Sequence, residues 1–163
     1  MFTDKKVVLA SQSPRRRQLL EQAGISFSVI IQPTDEIYPE GLTIEKIPVH
    51  IAYQKALAVQ PLCEKEAIIL AADTVVVLDN EVIGKPGDKQ HAINILHRLS
   101  GRMHRVITGV ALLSKDNCKQ FADITEVYFN KLATEQIHYY VDHFHPYDKV
   151  GAYAIQERIG LIG

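Results

Sequence analysis

The stretch that decides the fold is AIILAADTVVVL, residues 67–78. Residues 67–72 are all apolar, which is typical of a central strand buried on both faces of a sheet. Asp73 ends this apolar run. Residues 74–78 continue in extended form, and the Asp-Asn pair at 79–80 predicts a turn after them. The stretch therefore predicts a buried strand with one carboxylate at its end, followed by a further extended segment.

Strands and helices alternate outward from this stretch. Short apolar runs predict strands, and apolar residues three or four positions apart predict helices with one buried face. Before the central strand, these rules give strands at 7–10 and 27–31 and helices from Pro14 to Ala23 and from near Pro48 to near Val59. After it, they give strands at 82–83, 106–113, 123–132 and 152–155 and helices from Asp88 to Leu99 and from Thr134 to Phe144. The alternation predicts the α/β class, a mixed twisted sheet with flanking helices, and leaves the strand order open.

Composition and charge narrow the function classes. The 163 residues are 47% hydrophobic, and 18 Lys and Arg against 19 Asp and Glu give a net charge of −1. This balance excludes the broad basic footprint of a nucleic-acid-binding protein but allows a local basic site. Cys63 and Cys118 are too few for a disulfide framework and too far apart for a zinc motif. With no apolar run of transmembrane length and no apolar leader after Met1, we expect a cytoplasmic protein that needs no membrane.

The segment SQSPRRR, residues 11–17, breaks a local rule of helix design. Ser13-Pro14 predicts a helix start, yet three arginines stand in the first turn, where the helix dipole disfavours cations. A helix that begins directly after a buried strand presents free N–H groups to anions, and arginine adds bidentate contacts to phosphate. The segment predicts a phosphate site; the alternative is a solvated basic turn.

Asp73 is the second anomaly, because a carboxylate on a buried strand must be paired, metal-bound or catalytic. The plain alternative is an Asp that caps a turn or pairs with a structural lysine. Lys55, Lys85 and Glu36 are each typical of a surface when taken singly. Together with Asp73 they form a consistent set, with cations for phosphate oxygens and carboxylates for a divalent metal.

Other polar positions stay open. Ser100-Gly101 and Thr108-Gly109 would let a ligand approach the backbone, or else serve as a helix stop and as strand packing. Gln156 has an amide that suits the edge of a base, although alone it is typical of a surface. The chain has no Walker A, dinucleotide-binding, HExxH or GxSxG motif. The histidines at 138, 143 and 145 lack zinc spacing and indicate a solvated helix end.

Six short motifs occur in series along the chain: LASQSPRR at 9–16, ADTVV at 72–76, GKP at 84–86, LSGRMH at 99–104, TGV at 108–110 and DKVGAYAIQ at 148–156. This series resembles the Maf family of nucleoside triphosphate pyrophosphatases over nearly the whole chain. The resemblance implies an α/β fold related to the inosine-triphosphate pyrophosphatases, with two lobes around a cleft. It also implies hydrolysis of a nucleoside triphosphate to the monophosphate and pyrophosphate with a divalent cation, Mg²⁺ or Mn²⁺.

The resemblance assigns roles to positions of this sequence. Asp73 is similar to the family's catalytic proton acceptor and, with Glu36, is expected to hold the metal. The remaining expected substrate and specificity positions are Ser11, Arg15, Arg16, Lys55, Thr74, Lys85 and Gln156. Of these, Arg15, Thr74 and Gln156 match positions linked to base choice, and they resemble the branch that acts on dTTP and UTP. The alternatives are the same reaction on 7-methyl-GTP or a modified pyrimidine triphosphate, or a nucleotide-binding regulator of cell division with little catalysis.

The sequence departs from the family pattern at three places. Val150 replaces the usual Ala, and Glu157 replaces the usual Gly. Family members also continue through a further strand and helix, so we expect residues 1–163 to form a single Maf-like domain lacking that C-terminal part. A homodimer is expected from the family's habits alone.

Overall fold

A six-stranded sheet organises the computed structural model, which describes residues 6–155 and 159–161. Its strands are β1 (Val7–Leu9), β2 (Phe27–Val29), β3 (Ile68–Leu78), β4 (Glu81–Ile83), β5 (Met103–Leu113) and β6 (Cys118–Tyr128). The helices are α1 (Pro14–Gln22), α2 (Lys46–Val59), α3 (Lys89–Leu99) and α4 (Thr134–Phe144). Short 3-10 helices lie at Gln60–Leu62, Pro146–Asp148, Val150–Ala152 and Ile159–Leu161. These elements confirm the predicted α/β class.

The sheet is mixed. Its order is β2-β1-β3-β5-β6, and β4 pairs with β3 outside this path. β1 runs parallel to both β2 and β3, with Leu9 opposite Leu70. β4 runs antiparallel to β3 after a two-residue turn whose residues, Asp79 and Asn80, have positive φ angles of 49° and 65°. These angles suit the right-handed twist of a tight hairpin.

The chain divides into two compact units. The first comprises the chain up to Asp73 together with Thr108–Asp123, and the second comprises Thr74–Ile107 together with the chain from Ile124. In the first unit, α2 supplies small residues, Ala52 and Ala56, to a core that includes Val8, Ile69 and Ala111. In the second, α3 packs against α4 in a core that includes Leu96, Ile137 and Tyr140.

Gly109 allows α2 to lie close to the sheet. A Cβ atom at this position would stand 2.1 Å from the backbone nitrogen of Val49 and 2.2 Å from the carbonyl carbon of Pro48. No side chain fits at such distances, so the glycine permits a backbone-to-backbone approach. Of the two roles open for Thr108-Gly109, the structure supports strand packing. Gly101 serves as the helix stop after α3, with a positive φ of 69°.

Several expectations were wrong in detail. No residue of α1 is fully buried: Leu20 is half-buried, whereas Leu19, 63% exposed, and Ala23 face solvent, so the predicted apolar face is covered only in part. β6 begins at Cys118, earlier than predicted, and forms an edge strand with only Val127 half-buried. The predicted strand at 152–155 is absent, because residues 150–152 form a turn of 3-10 helix instead. The helix predicted from near Pro48 to near Val59 is confirmed as α2, which begins at Lys46 because proline is tolerated in a first turn.

No helix within the described ranges is long and apolar enough to cross a membrane.

Candidate active site

Asp73 lies in the middle of β3 and not at its end, because the strand continues to Leu78. Asp73 is only 9% exposed. Lys55 Nζ donates one hydrogen bond to Asp73 Oδ1 and another to Glu36 Oε1, and each has a donor–acceptor distance of 2.7 Å. The strand, the loop before α2 and α2 itself therefore bring three charged groups of the first unit to one point.

The small residues of α2 explain how Lys55 reaches this point. Ala52 and Ala56, on either side of Lys55 along the helix, are fully buried in the core of the first unit. Their lack of bulk lets the helix approach the sheet, as Gly109 does from the strand side. These small neighbours of Lys55 thus serve helix–sheet packing.

Arg16 of α1 contacts β3 at the residue that precedes Asp73. Its Nη1 donates to the carbonyl oxygen of Ala72 over 2.7 Å and to Ser11 Oγ over 3.1 Å. The Ser11 hydroxyl also accepts a hydrogen bond from the Ser13 N–H over 3.2 Å. Arg16 is thereby tied to the residue before Asp73, and Ser11 ties the start of α1 to the same place. Ser13 makes no side-chain cap of the helix, although it occupies the N-cap position.

Burial changes the acid–base properties of this cluster. Burial raises the pKa of the Asp73 carboxyl above its ordinary value, and the hydrogen bond and charge of Lys55 oppose part of that rise. Burial lowers the pKa of the Arg16 guanidinium, against the attraction of Asp73, but arginine stays charged at any physiological pH. Asp73 is consequently a better proton acceptor than an exposed aspartate, because its basicity is higher.

The structure brings five predicted residues together in the first unit: Ser11, Arg16, Glu36, Lys55 and Asp73. Arg15 and Arg17 are exposed on α1. Thr74 follows Asp73 on β3, is half-buried and belongs to the second unit. Gln156 lies outside the described residues.

Lys85 stands exposed in the loop between β4 and α3, in the second unit. The preceding residue, Gly84, accepts a hydrogen bond at its carbonyl oxygen from the N–H of Gly151 over 3.1 Å. Gly151 has a φ of 73°, and a Cβ there would stand 2.9 Å from a methyl group of Val76. The Lys85 loop is thus anchored to the segment that leads towards Gln156 in the sequence.

Two buried polar features received no role from the sequence. Lys149 is only 7% exposed, and its Nζ lies 2.8 Å from Asp148 Oδ1. His104, 1% exposed on β5, has its Nε2 2.6 Å from the hydroxyl oxygen of Tyr153. Both lie in the series of motifs quoted above, so the signal was present in the sequence, but nothing in the spacing predicted their burial.

Comparisons with known proteins give the family. The family model for Maf-like proteins matches residues 6–163. A Bacteroides fragilis protein named dTTP/UTP pyrophosphatase is 45% identical over 159 residues, which are 97% of this chain and 82% of that protein. A Cytophaga hutchinsonii protein of the same name is 44% identical over 157 residues, 96% of this chain and 72% of that protein.

The solved structure of the Staphylococcus aureus Ham1 protein matches with a TM-score of 0.55 at 16% identity, over 80% of this chain and 73% of that chain. At this identity the likeness concerns the fold alone. The family model and the sequence identities show family membership as well as fold, since they cover nearly the whole chain. The matched segments include those that carry Ser11, Arg16, Glu36, Lys55 and Asp73. The chain belongs to the family of Maf-like proteins.

Proposed function

We propose that this protein hydrolyses dTTP and UTP to the nucleoside monophosphate and pyrophosphate. The observation that supports this most directly is the Asp73–Lys55–Glu36 cluster beside Arg16, in a chain 45% identical to a protein named for this activity. A buried carboxylate of raised pKa flanked by two cations suits water-dependent cleavage of a polyanion. A protein that only bound phosphate would gain nothing from two carboxylates at this place.

The reaction assigns a separate task to each group. The oxygen of a water molecule attacks the α-phosphorus, the bond to the oxygen bridging the α- and β-phosphorus breaks, and pyrophosphate leaves. Asp73 orients this water and accepts its proton. Arg16 and Lys55 neutralise the phosphate oxygens, with Ser11 hydrogen-bonded to Arg16, and the family resemblance assigns Lys85 to substrate binding.

The carboxylates also fit a divalent metal. Glu36 and Asp73 already hold one cation jointly, the Lys55 ammonium, which marks a point where a positive charge is stabilised by both. No group of three or more His, Cys, Asp or Glu with metal-binding geometry is found among residues 6–155 and 159–161. Mg²⁺ commonly takes one or two protein carboxylates and completes its shell with water and substrate phosphates, so two suffice. When bound, Mg²⁺ or Mn²⁺ would polarise the phosphoryl group under attack.

Base choice is assigned to Arg15, Thr74 and Gln156. Of these, the structure describes Arg15, exposed on α1, and Thr74, half-buried on β3. The proposed preference for dTTP and UTP rests on the family resemblance at these positions and on the names of the relatives.

The test is an assay that distinguishes pyrophosphate from phosphate across dTTP, UTP, CTP, GTP and 7-methyl-GTP with Mg²⁺ or Mn²⁺. We expect pyrophosphate, with dTTP and UTP turned over fastest. Asp73→Asn should lower turnover about 10²–10⁴-fold, because the proton acceptor is lost. Asp79→Asn makes the same chemical change at an exposed turn and should keep full activity. Near-normal turnover by Asp73→Asn would refute the assignment, and tight binding without pyrophosphate would favour a nucleotide-binding regulator.

A further inference from the structure

The Lys55 ammonium occupies the point where the two carboxylates meet. Its Nζ is 2.7 Å from Glu36 Oε1 and 2.7 Å from Asp73 Oδ1, so it is shared equally between them. The side chains are 20% exposed for Lys55, 12% for Asp73 and 56% for Glu36. The cluster is therefore buried on the strand side and open to solvent on the Glu36 side.

An ammonium and a divalent metal make competing demands on these oxygens. A lysine head group is a compact point cation, and Mg²⁺ binds carboxylate oxygens at about 2.0–2.1 Å. A metal bound by both carboxylates would have to lie within a few ångströms of the observed Nζ position. Two cations that close repel strongly in a partly buried site, so the two cannot share the carboxylates as the structure shows them.

From this geometry, and resting on the proposed metal-dependent function, we propose that Lys55 and the divalent metal are alternative counter-ions for Glu36 and Asp73. Without metal, Lys55 neutralises the two carboxylates. When a metal enters, the ammonium swings away on its flexible four-carbon stem and becomes available to phosphate oxygens. Lys55 is in this way a positioning residue for the metal as well as a substrate contact.

Two consequences follow for binding. The free protein should bind metal weakly, because the metal must displace an ion pair. Nucleotide should strengthen metal binding, because phosphate oxygens offer the displaced ammonium a new partner. By linkage, metal should strengthen nucleotide binding by the same factor.

The experiment measures Mn²⁺ binding to the full chain without nucleotide, by the electron paramagnetic resonance signal of free Mn²⁺, with all variants at the same pH. Lys55→Met should bind Mn²⁺ about tenfold more tightly than the unmodified protein, because the competing cation is gone. Lys46→Met removes an exposed lysine from the same helix and should leave Mn²⁺ affinity unchanged. Equal or weaker affinity in Lys55→Met, or equal tightening in Lys46→Met, would overturn the proposal.

Thermal unfolding is a second measurement, and it also shows whether a variant is destabilised or fails to fold. Without metal, Lys55→Met should melt below the unmodified protein, because Asp73 stays buried without its counter-ion. Added Mn²⁺ should restore the melting temperature, and the rise should exceed that of the unmodified protein at the same concentration. Lys55→Gln, which is neutral but polar, should behave in the same way. A loss of stability in both variants that Mn²⁺ does not recover would mean that Lys55 is a structural ion-pair partner only.

The outcomes separate this proposal from the proposed function. If the unmodified protein releases pyrophosphate from dTTP but Lys55→Met shows unchanged Mn²⁺ affinity, the function stands and the exchange of counter-ions fails. If Lys55→Met binds Mn²⁺ more tightly but no nucleotide is hydrolysed by the unmodified protein, the exchange stands and the function fails.

Discussion

Acid should destabilise this protein through one histidine. His104 is 1% exposed, its Nε2 lies 2.6 Å from the Tyr153 hydroxyl, and the edges of the Phe129 and Tyr153 rings enclose it at centroid distances of 4.9 and 5.4 Å. Burial in these aromatic surroundings lowers the pKa of His104 from 6.5 to about 4, with the backbone of Arg102 offsetting part of the effect. Between about pH 6.5 and pH 4, His104 is therefore mostly neutral in the folded protein and mostly protonated in the unfolded chain.

The sign and size follow from linkage. Above pH 6.5 the imidazole is neutral in both states and costs nothing. As pH falls from 6.5 towards 4, only the unfolded chain takes up the proton, and stability is lost progressively. A pKa of about 4 against 6.5 corresponds to a total of about 3 kcal/mol, of which about 2 kcal/mol is already lost at pH 5. That is a large share of the ~5–15 kcal/mol by which most domains are stable.

The assay is urea unfolding of the unmodified protein and of His104→Gln between pH 8 and pH 4.5. Gln keeps a polar group but does not titrate, so all other ionisable residues cancel in the comparison. We expect His104→Gln to be the less stable at pH 8 and the difference to shrink by about 2 kcal/mol by pH 5. His138→Gln, at an exposed histidine of α4, should keep the pH dependence of the unmodified protein. Parallel pH profiles for the unmodified protein and His104→Gln would refute the reasoning.

Two further predictions concern packing around the two cores. Gly109→Ala should lower the free energy of unfolding by about 3 kcal/mol or more in guanidinium, because its Cβ would meet the Val49 backbone at 2.1 Å. Gly84→Ala is the control and should lower it far less, because nothing lies within 4 Å of a Cβ there. Equal losses of stability in the two variants would contradict the close approach of α2 at Gly109. Tyr153→Phe should cost about 1–3 kcal/mol, because it removes the hydroxyl that meets the buried imidazole and leaves a ring nitrogen without this partner. An unchanged melting temperature for Tyr153→Phe would show that this hydrogen bond contributes nothing.

Local signals predicted most of the elements, and the failures have physical causes. Residues 67–78 were a reliable signal for a strand, because a continuous apolar run leaves few alternatives to a buried strand. Asp88 was a reliable signal for a helix start, because its side chain caps α3 by accepting a hydrogen bond of 2.7 Å from the His91 N–H. α1 was predicted as a helix from Ser13-Pro14, but most of its apolar face remains exposed, with only Leu20 half-buried. Local spacing defines which face is apolar; whether another element covers that face depends on the tertiary fold.

For the candidate site too, the sequence indicated which charged groups take part but not that they lie close together in the fold. The sequence supplied the right set of groups, but Lys55 and Asp73 are 18 positions apart, and no pattern states that they meet. Their contact depends on residues that carry no charge: Ala52 and Ala56 bring α2 onto the sheet, and Gly109 removes the last obstacle. A lysine typical of a surface thereby becomes the shared partner of two carboxylates. The chemistry of this site therefore depends on the volume of its small apolar neighbours as well as on its charges, because these neighbours set where α2 places Lys55 relative to Glu36 and Asp73.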